Sequence, residues 1–350
     1  MSLYERVRPA LFRLPPETAH SIAHTGMKAA DHTPLPSLLR RGFAVEDERL
    51  TVEAFGQTFP NPVGVAAGFD KNAEAPRTLH GLGFGHVEVG GVTAEPQPGN
   101  PRPRVFRLVE DEGLVNRMGL NNEGADVVGE RLRNTEVGYP VGVNLAKSES
   151  TPTEDAPADY RYTYEQVEDG GDFFVVNVSC PNTEGFRELQ NRETLEGILS
   201  ELVEANASPL LVKLSPDLPE PAVEETLELV AEYDLDGVIA TNTSTERPDT
   251  LQSPSRAEEG GLSGKPIEGT ATEMVRFVAE RTDVPVIGVG GVFTGADAYR
   301  KIRAGASLVQ LYTAFIYRGP TVARDINRGL ATLLERDGFD NIEDAVGADL

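Results

Sequence analysis

Eight short apolar runs, each closing on small or polar residues, constrain this chain more than any other feature. They are Pro62–Gly68, His86–Thr93, Val141–Ala146, Phe173–Ser179, Leu210–Ser215, Gly237–Thr243, Val284–Gly291 and Leu308–Ala314. The runs are continuous and β-branched, not alternating, as parallel strands buried on both faces require. Helix-forming stretches lie between them, including Thr194–Ala205, Glu220–Tyr233 and Thr270–Arg281, with Asp217 and Pro219 as start signals for the second. Eight strand–helix units over about 250 residues predict an α/β fold, a (β/α)8 TIM barrel. An open doubly wound sheet is the other arrangement this pattern allows.

Two segments fall outside that rhythm. Residues 44–60 hold Leu50-Thr-Val and Phe55-Gly-Gln-Thr-Phe, which predict a small hairpin ahead of the barrel. Residues 94–120, rich in Pro, Gly and Arg, follow the second strand, so they lie on the face where barrels of this kind place their sites. The first 43 residues read as two short helices split by Gly26 and by Thr33-Pro-Leu-Pro. Leu3, Val7, Ala10, Leu11 and Leu14 form one apolar stripe, and Ile22, Ala23 and Met27 another. Such helices either pack on the barrel or form a hydrophobic mouth at a membrane surface. The division expected is a helical module over 1–43 and a barrel over 44–350.

Charge narrows the function classes. Asp and Glu number 56 against 32 Lys and Arg, a net charge of −24, which repels nucleic acid. Only 6 of the 32 basic residues are lysine, and acid enrichment with scarce lysine points to a salt-adapted protein. Residues 1–43 reverse the balance with six basic and three acidic side chains, as a module meeting an anionic surface would. No apolar run reaches bilayer-spanning length, and no secretory signal pattern follows Met1. The sole cysteine, Cys180, excludes an internal disulfide and an all-cysteine metal site.

The strand ends are polar. Strand one closes on Ala67-Gly-Phe-Asp-Lys71, strand three carries Asn144, and strand four ends Asn177-Val-Ser-Cys-Pro-Asn182. Strand five carries Lys213, strand six Thr241-Asn-Thr243, strand seven Gly288-Val-Gly-Gly291, and strand eight Tyr312-Thr313. Lysines and asparagines at one barrel mouth need partners, and a polar ligand rich in acceptors supplies them. Glycines at strand seven beside the strand-eight end match a phosphate site, although glycine also serves any tight turn. Cys180 is either a small buried hydrophobe or a proton acceptor whose pKa nearby ammonium groups lower.

Several of these segments carry a resemblance. Asn177-Val-Ser-Cys-Pro-Asn-Thr, Ala67-Gly-Phe-Asp-Lys, Asn116-Arg-Met-Gly-Leu-Asn-Asn, Gly261-Leu-Ser-Gly, Ala240-Thr-Asn-Thr and Leu308-Val-Gln-Leu-Tyr together resemble the signatures of the dihydroorotate dehydrogenase family, in order along almost the whole chain. The resemblance implies an FMN-containing barrel that oxidises dihydroorotate to orotate in pyrimidine biosynthesis. It implies that Cys180 removes the C5 proton while hydride from C6 passes to flavin N5. Lys71, Asn116, Asn177, Asn182 and Asn242 would hold the substrate, with the backbone of Asn116, Arg117, Met118, Gly119 and Leu120 helping and Thr243 beside them. Amide side chains suit that ligand because they both donate and accept. Ala67, Gly68, Lys71, Gly91, Asn144, Asn177, Lys213, Thr241, Gly264, Gly290, Gly291, Tyr312 and Thr313 match FMN-contacting positions. Among them, Lys213 would stabilise the anionic reduced flavin, and backbone around Gly290, Gly291 and Thr313 would take its phosphate.

The first 43 residues resemble those of class 2 enzymes, which pass electrons to a quinone. Leu11-Phe-Arg-Leu and Ala19-His20 match the quinone-tunnel helices, and Arg107 matches an arginine beside the quinone. The implied setting is peripheral, at the cytoplasmic face of the cell membrane. Three positions depart from the pattern. Cysteine at 180 is the habit of soluble class 1 enzymes, where class 2 places serine. Gly91 stands where a hydroxyl residue is common, and Leu120 replaces a usual phenylalanine. The alternatives are a class 1-like enzyme using fumarate, or NAD through a partner, and a flavin- or pyrimidine-binding barrel without turnover.

Overall fold

A computed structural model describes residues 3–179, 189 and 191–350. The chain opens with helices α1 (Leu3–Leu11), α2 (Pro16–Asp31) and α3 (Leu35–Phe43), then a hairpin of β1 (Val52–Ala54) and β2 (Gln57–Phe59). There follow β3 (Val63–Val65), α4 (Pro76–Gly81), β4 (His86–Val92), β5 (Val105–Leu108), β6 (Gly113–Asn116), α5 (Ala125–Arg133), β7 (Val141–Leu145), α6 (Ala156–Val167) and β8 (Phe173–Asn177). The second half runs α7 (Arg192–Glu204), β9 (Leu210–Leu214), α8 (Glu220–Glu232), β10 (Gly237–Ala240), β11 (Gly261–Gly264), α9 (Glu268–Ala279), β12 (Val286–Val289), α10 (Gly295–Arg303), β13 (Ala306–Leu311), α11 (Thr313–Arg318) and α12 (Val322–Asp337).

Strands β3, β4, β7, β8, β9, β10, β12 and β13 close into a parallel barrel in chain order, one for each apolar run. The open sheet is thereby excluded. The last strand starts two residues earlier than its apolar run and stops before Thr313, which opens α11.

The hairpin pairs antiparallel, Val52 opposite Phe59, and plugs one end of the barrel. Phe59 packs edge-on against His86 at the start of β4, with ring centroids 5.3 Å apart, and Phe55 lies 6.0 Å from Phe173 at the start of β8. Both contacts fall at strand N-termini, which leaves the C-terminal mouth for a site. His86 is fully buried, and burial pushes its pKa down to about 3, so the imidazole is neutral.

One sequence expectation needs correction. Residues 3–43 form three helices, not two; the chain breaks at Thr33-Pro34 as expected, but Gly26 lies inside α2 without breaking it. A lone glycine costs a helix only about 1 kcal/mol relative to alanine, and a side chain at this one would meet open space. The other break is at Pro15-Pro16, with Pro16 at the first helical position, where its missing N–H is harmless. Residues 94–120 contain strands β5 and β6, which join β11 from the loop after β10 in a three-stranded antiparallel sheet. This roof stands over the mouth, with Asn116 opposite Gly261.

Arg104 ties the roof to the amino-terminal helices. It is 5% exposed and donates from Nη1 to the carbonyls of Pro98, Asn100 and Met118, and from Nη2 to Glu17 of α2 at 2.8 Å. Burial alone would raise the Glu17 pKa, but Arg104 and Arg102 outweigh it and hold the carboxylate ionised. A belt of ion pairs also links outer helices. Arg161 of α6 reaches Glu201 of α7, and Arg192 of α7 reaches Glu228 and Glu232 of α8. Arg281, just past α9, meets Glu224 of α8; Arg300 of α10 meets Glu268 of α9; and Arg303 of α10 meets Asp337 of α12. Each link is exposed and modest, worth about 0.2–1 kcal/mol.

Arg104→Ala leaves Glu17 with only the exposed Arg102 as partner and removes three carbonyl contacts. The expected loss is about 3 kcal/mol of unfolding free energy, the scale of a broken buried pair, read from denaturant midpoints. A change below about 0.5 kcal/mol, the ordinary surface scale, would show that this junction bears no load.

Candidate active site

The pocket lies at the C-terminal mouth, beneath the roof. Of the expected residues, Ala67, Gly68, Lys71, Gly91, Asn116, Met118, Gly119, Leu120, Asn177, Lys213, Thr241, Asn242, Thr243, Gly264, Gly290, Gly291, Tyr312 and Thr313 line it. They come from both roof loops and most barrel strands, and closure of the barrel gathers them. Asn144 is fully buried one layer below and is reached through Asn177. Cys180 and Asn182 lie outside the described residues.

Arg117 is not brought to the pocket. Its guanidinium turns outward to Glu258 at 2.9 Å, to the carbonyls of Glu259 and Pro103, and over the Phe106 ring. A carboxylate and an aromatic face outside the mouth satisfy it better than a pocket already supplied with Lys71 and Lys213.

The deep end of the pocket is an ordered polar chain. Lys213 Nζ lies 3.1 and 3.0 Å from the two carboxylate oxygens of Glu88, on β4. Asn144 Nδ2 donates to Glu88 Oε1 at 2.6 Å, and Asn177 Nδ2 donates to Asn144 Oδ1 at 2.9 Å. Asn242 Nδ2 donates to Asn177 Oδ1 at 3.3 Å and to Ser179 Oγ at 3.0 Å. Sequence reading missed Glu88. Its signal was present: a carboxylate inside the run His86-Val-Glu-Val has no solvent to face and demands a buried cation.

At the shallow end Lys71 donates to the Gly68 carbonyl. Burial first, then the nearby Arg104 charge, pushes its pKa down to about 8. Its neighbour Asp70 is fully buried and accepts from the amides of Glu74 and Ala75, each at 2.8 Å, while His24 Nε2 of α2 lies 3.4 Å from it. Burial alone would raise the Asp70 pKa; His24 and the two amides outweigh it and bring it below the ordinary value. His24 also faces Glu74, which pairs with Lys28. Helix α2 is thus docked onto the loop that carries Lys71.

The glycines at strand seven serve a close approach. Gly290 and Gly291 have φ of +113° and +74°, and a Cβ on Gly291 would come within 2.2 Å of Glu268 Cβ. The turn keeps its backbone at the pocket wall beside Thr313, whose hydroxyl lies 2.9 Å from that of Ser263.

Neither His20 nor Arg107 lines this pocket. The His20 ring stacks on Tyr312 with centroids 6.3 Å apart and meets Phe69 edge-on at 5.2 Å, so it sits one aromatic layer behind the pocket wall. Burial, then Lys71, pushes its pKa down to about 3. Arg107 donates to the carbonyls of Phe12 and Leu14 and covers the Phe12 ring at 4.5 Å. Val105 and Leu114, roof residues absent from the sequence expectations, add apolar wall. Among the described residues no group of His, Cys, Asp and Glu is placed to hold a metal ion.

Asp70 supplies a pH test. Its folded pKa is depressed, so its contribution to stability is present above the ordinary value of 3.8 and is lost as pH falls through the lower folded value. Asp70→Asn should lower stability at pH 7 and shrink the difference between pH 7 and pH 3. Unfolding curves at the two pH values check this, and an unchanged difference would remove Asp70 from the acid response.

Comparison with known proteins agrees with this architecture. Residues 49–334 match the family model described as dihydroorotate dehydrogenase. The chain is 67% identical over 350 residues to the dihydroorotate dehydrogenase (quinone) of Haloarcula marismortui, covering all of both chains. It is 62% identical, again over the full length of both, to the protein of the same name from Natronomonas pharaonis. The crystal structure of the Eimeria tenella enzyme in complex with ferulenol superposes with a TM-score of 0.87 at 37% identity, covering 97% of this chain and 98% of that one. The chain therefore belongs to the dihydroorotate dehydrogenase family, in its class 2 branch.

Proposed function

We propose that this protein oxidises (S)-dihydroorotate to orotate, with FMN as hydride acceptor and a quinone as final electron acceptor, in pyrimidine biosynthesis. The observation that carries this reading is a single pocket holding Lys71, the asparagine chain, Lys213 and the Gly290-Gly291 turn together. Full-length likeness to proteins named dihydroorotate dehydrogenase (quinone) favours the quinone over fumarate or NAD.

The residues fit a flavin mononucleotide. A glycine turn with backbone at the wall suits a phosphate. The buried ammonium of Lys213 suits the end of the ring system where negative charge gathers on reduction. Ala67, Gly68, Gly91, Thr241, Gly264, Tyr312 and Thr313 would form the slot between them. When bound, the flavin supplies hydride acceptance and onward electron transfer. The chain's own residues do the rest. Lys71 holds the substrate carboxylate, and Asn116, Asn177, Asn182, Asn242 and Thr243 orient the ring through paired donors and acceptors. Cys180 takes the C5 proton as hydride leaves C6, and the two departures create the C5–C6 double bond.

Residues 1–43 are read as the quinone-receiving module. In support, five of the ten exposed large apolar side chains among the described residues lie there: Val7, Leu14, Ile22, Leu35 and Leu38. Together with the six basic groups they suit an anionic, apolar surface, and this supports reading the protein as peripheral, on the cytoplasmic face of the membrane. Among the described residues no helix is long and apolar enough to cross a membrane. His20 and Arg107 flank the path from that module towards Tyr312 and the pocket.

Anaerobic mixing of the FMN-loaded protein with dihydroorotate in molar salt should bleach the flavin absorbance rapidly. No bleaching with FMN bound and the protein folded would reject the substrate. In the same assay His20→Ala and Arg107→Ala should slow reoxidation by a soluble quinone at least tenfold while reduction by dihydroorotate stays within threefold. Equal loss in both halves would reject the quinone assignment. Cys180→Ser should move the pH optimum of the reductive half upward, because serine is the weaker acid; an unmoved profile would reject Cys180 as the proton acceptor.

A further inference from the structure

A carboxylate at the centre of a barrel needs a reason. Glu88 is fully buried, and Lys213 and Asn144 both direct their donors at it. An ionised carboxylate only accepts hydrogen bonds. Asn144 must therefore turn its NH2 towards Glu88 and its oxygen away. That oxygen accepts from Asn177, whose own oxygen accepts from Asn242 and from the Ser179 amide. The Asn242 oxygen in turn accepts from the Thr243 amide at 2.8 Å. The direction of Asn144 follows from Glu88, which cannot donate, while Asn177 and Asn242 are also oriented by the Ser179 and Thr243 backbone amides, which cannot accept.

The valences left over decide what a ligand meets. Asn177 has its oxygen occupied by Asn242 and Ser179 and one N–H given to Asn144, so it offers the pocket an N–H. Reversing the chain would offer an acceptor in its place. Glu88 also supplies the counter-charge of Lys213, so the pair is electrically neutral until a further anion arrives.

We propose that Glu88 is a positioning residue that acts at two points: by turning the Asn144 oxygen outward it supplies the acceptor that holds the Asn177 amide in place towards substrate, and through Lys213 it sets the charge felt by the flavin. This rests on the flavin and orotate reading of the same pocket. Without the carboxylate, Lys213 has only reduced flavin as counter-ion, so reduction becomes more favourable. Asn144 loses its fixed direction, because glutamine both donates and accepts, and an Asn144 that turns its N–H outward leaves the Asn177 N–H without its acceptor.

The test uses the full-length, FMN-loaded Glu88→Gln protein in molar salt. Two quantities are read: the flavin midpoint potential by equilibrium reduction against a reference dye, and the orotate Kd from the perturbation of the flavin spectrum. Binding of reduced relative to oxidised FMN should strengthen at least tenfold, which for a two-electron couple is an upward shift of about 30 mV. The orotate Kd should rise at least tenfold. An unmoved potential or an unmoved orotate Kd in folded, FMN-loaded protein overturns the proposal, since a merely structural role would shift neither with FMN in place. If Glu88→Gln does not fold, the double variant Glu88→Gln, Lys213→Met removes the ion pair as a unit. Its orotate Kd should still rise at least tenfold, and an unchanged value overturns the proposal. Failure of the unaltered protein to bind FMN or orotate would instead reject the reading of the pocket.

Discussion

A closed ring of parallel strands has no edge, and all its C-terminal ends face one mouth. Everything functional in this protein depends on that constraint. Residues as far apart in sequence as Lys71, Asn177, Asn242 and Thr313 meet because closure leaves their strand ends nowhere else to go. The same constraint explains the closed opposite end. The hairpin sets Phe55 and Phe59 against strand starts, so the barrel is sealed where no chemistry occurs.

The two ends of the expected electron path share a mechanical frame. Helix α2 touches the substrate side twice, through His24 at Asp70 and through Glu17 at Arg104. Arg104 in turn holds the carbonyl of Met118, a residue of the pocket wall. A helix assigned to the quinone thus grips the same backbone that shapes the substrate pocket. The low pKa of His20 fits its surroundings: a neutral ring packs among Phe69, Tyr312 and His24.

Most of the architecture was legible because burial on both faces leaves a plain trace. Continuous Val and Ile runs located all eight barrel strands, and polar residues after each run located the mouth. The misses have physical causes. Gly26 looked like a breaker, yet helix propensity is a weak prior and Pro15-Pro16 was the stronger local rule. The strands of the roof were hidden because β5 and β6 pair with each other and with β11, a partner nearly 150 residues away, and such pairing leaves no local signature. Motif adjacency says nothing of which way the Arg117 side chain turns. Glu88 escaped notice because a single charge in an apolar strand looks like noise until its partner across the barrel is known.

The belt of arginine–carboxylate links joins α6, α7, α8, α9, α10 and α12 into one arc. Among the described residues it does not extend to α4, the helix against which α2 and α3 lie. The arc is therefore open on that side, and α2 is held there by less exposed contacts: Glu17 at Arg104, Asp31 at the Thr78 amide and His24 at Asp70. Salt screens the exposed pairs of the arc more than these, so the docking of α2 is the less salt-sensitive of the two.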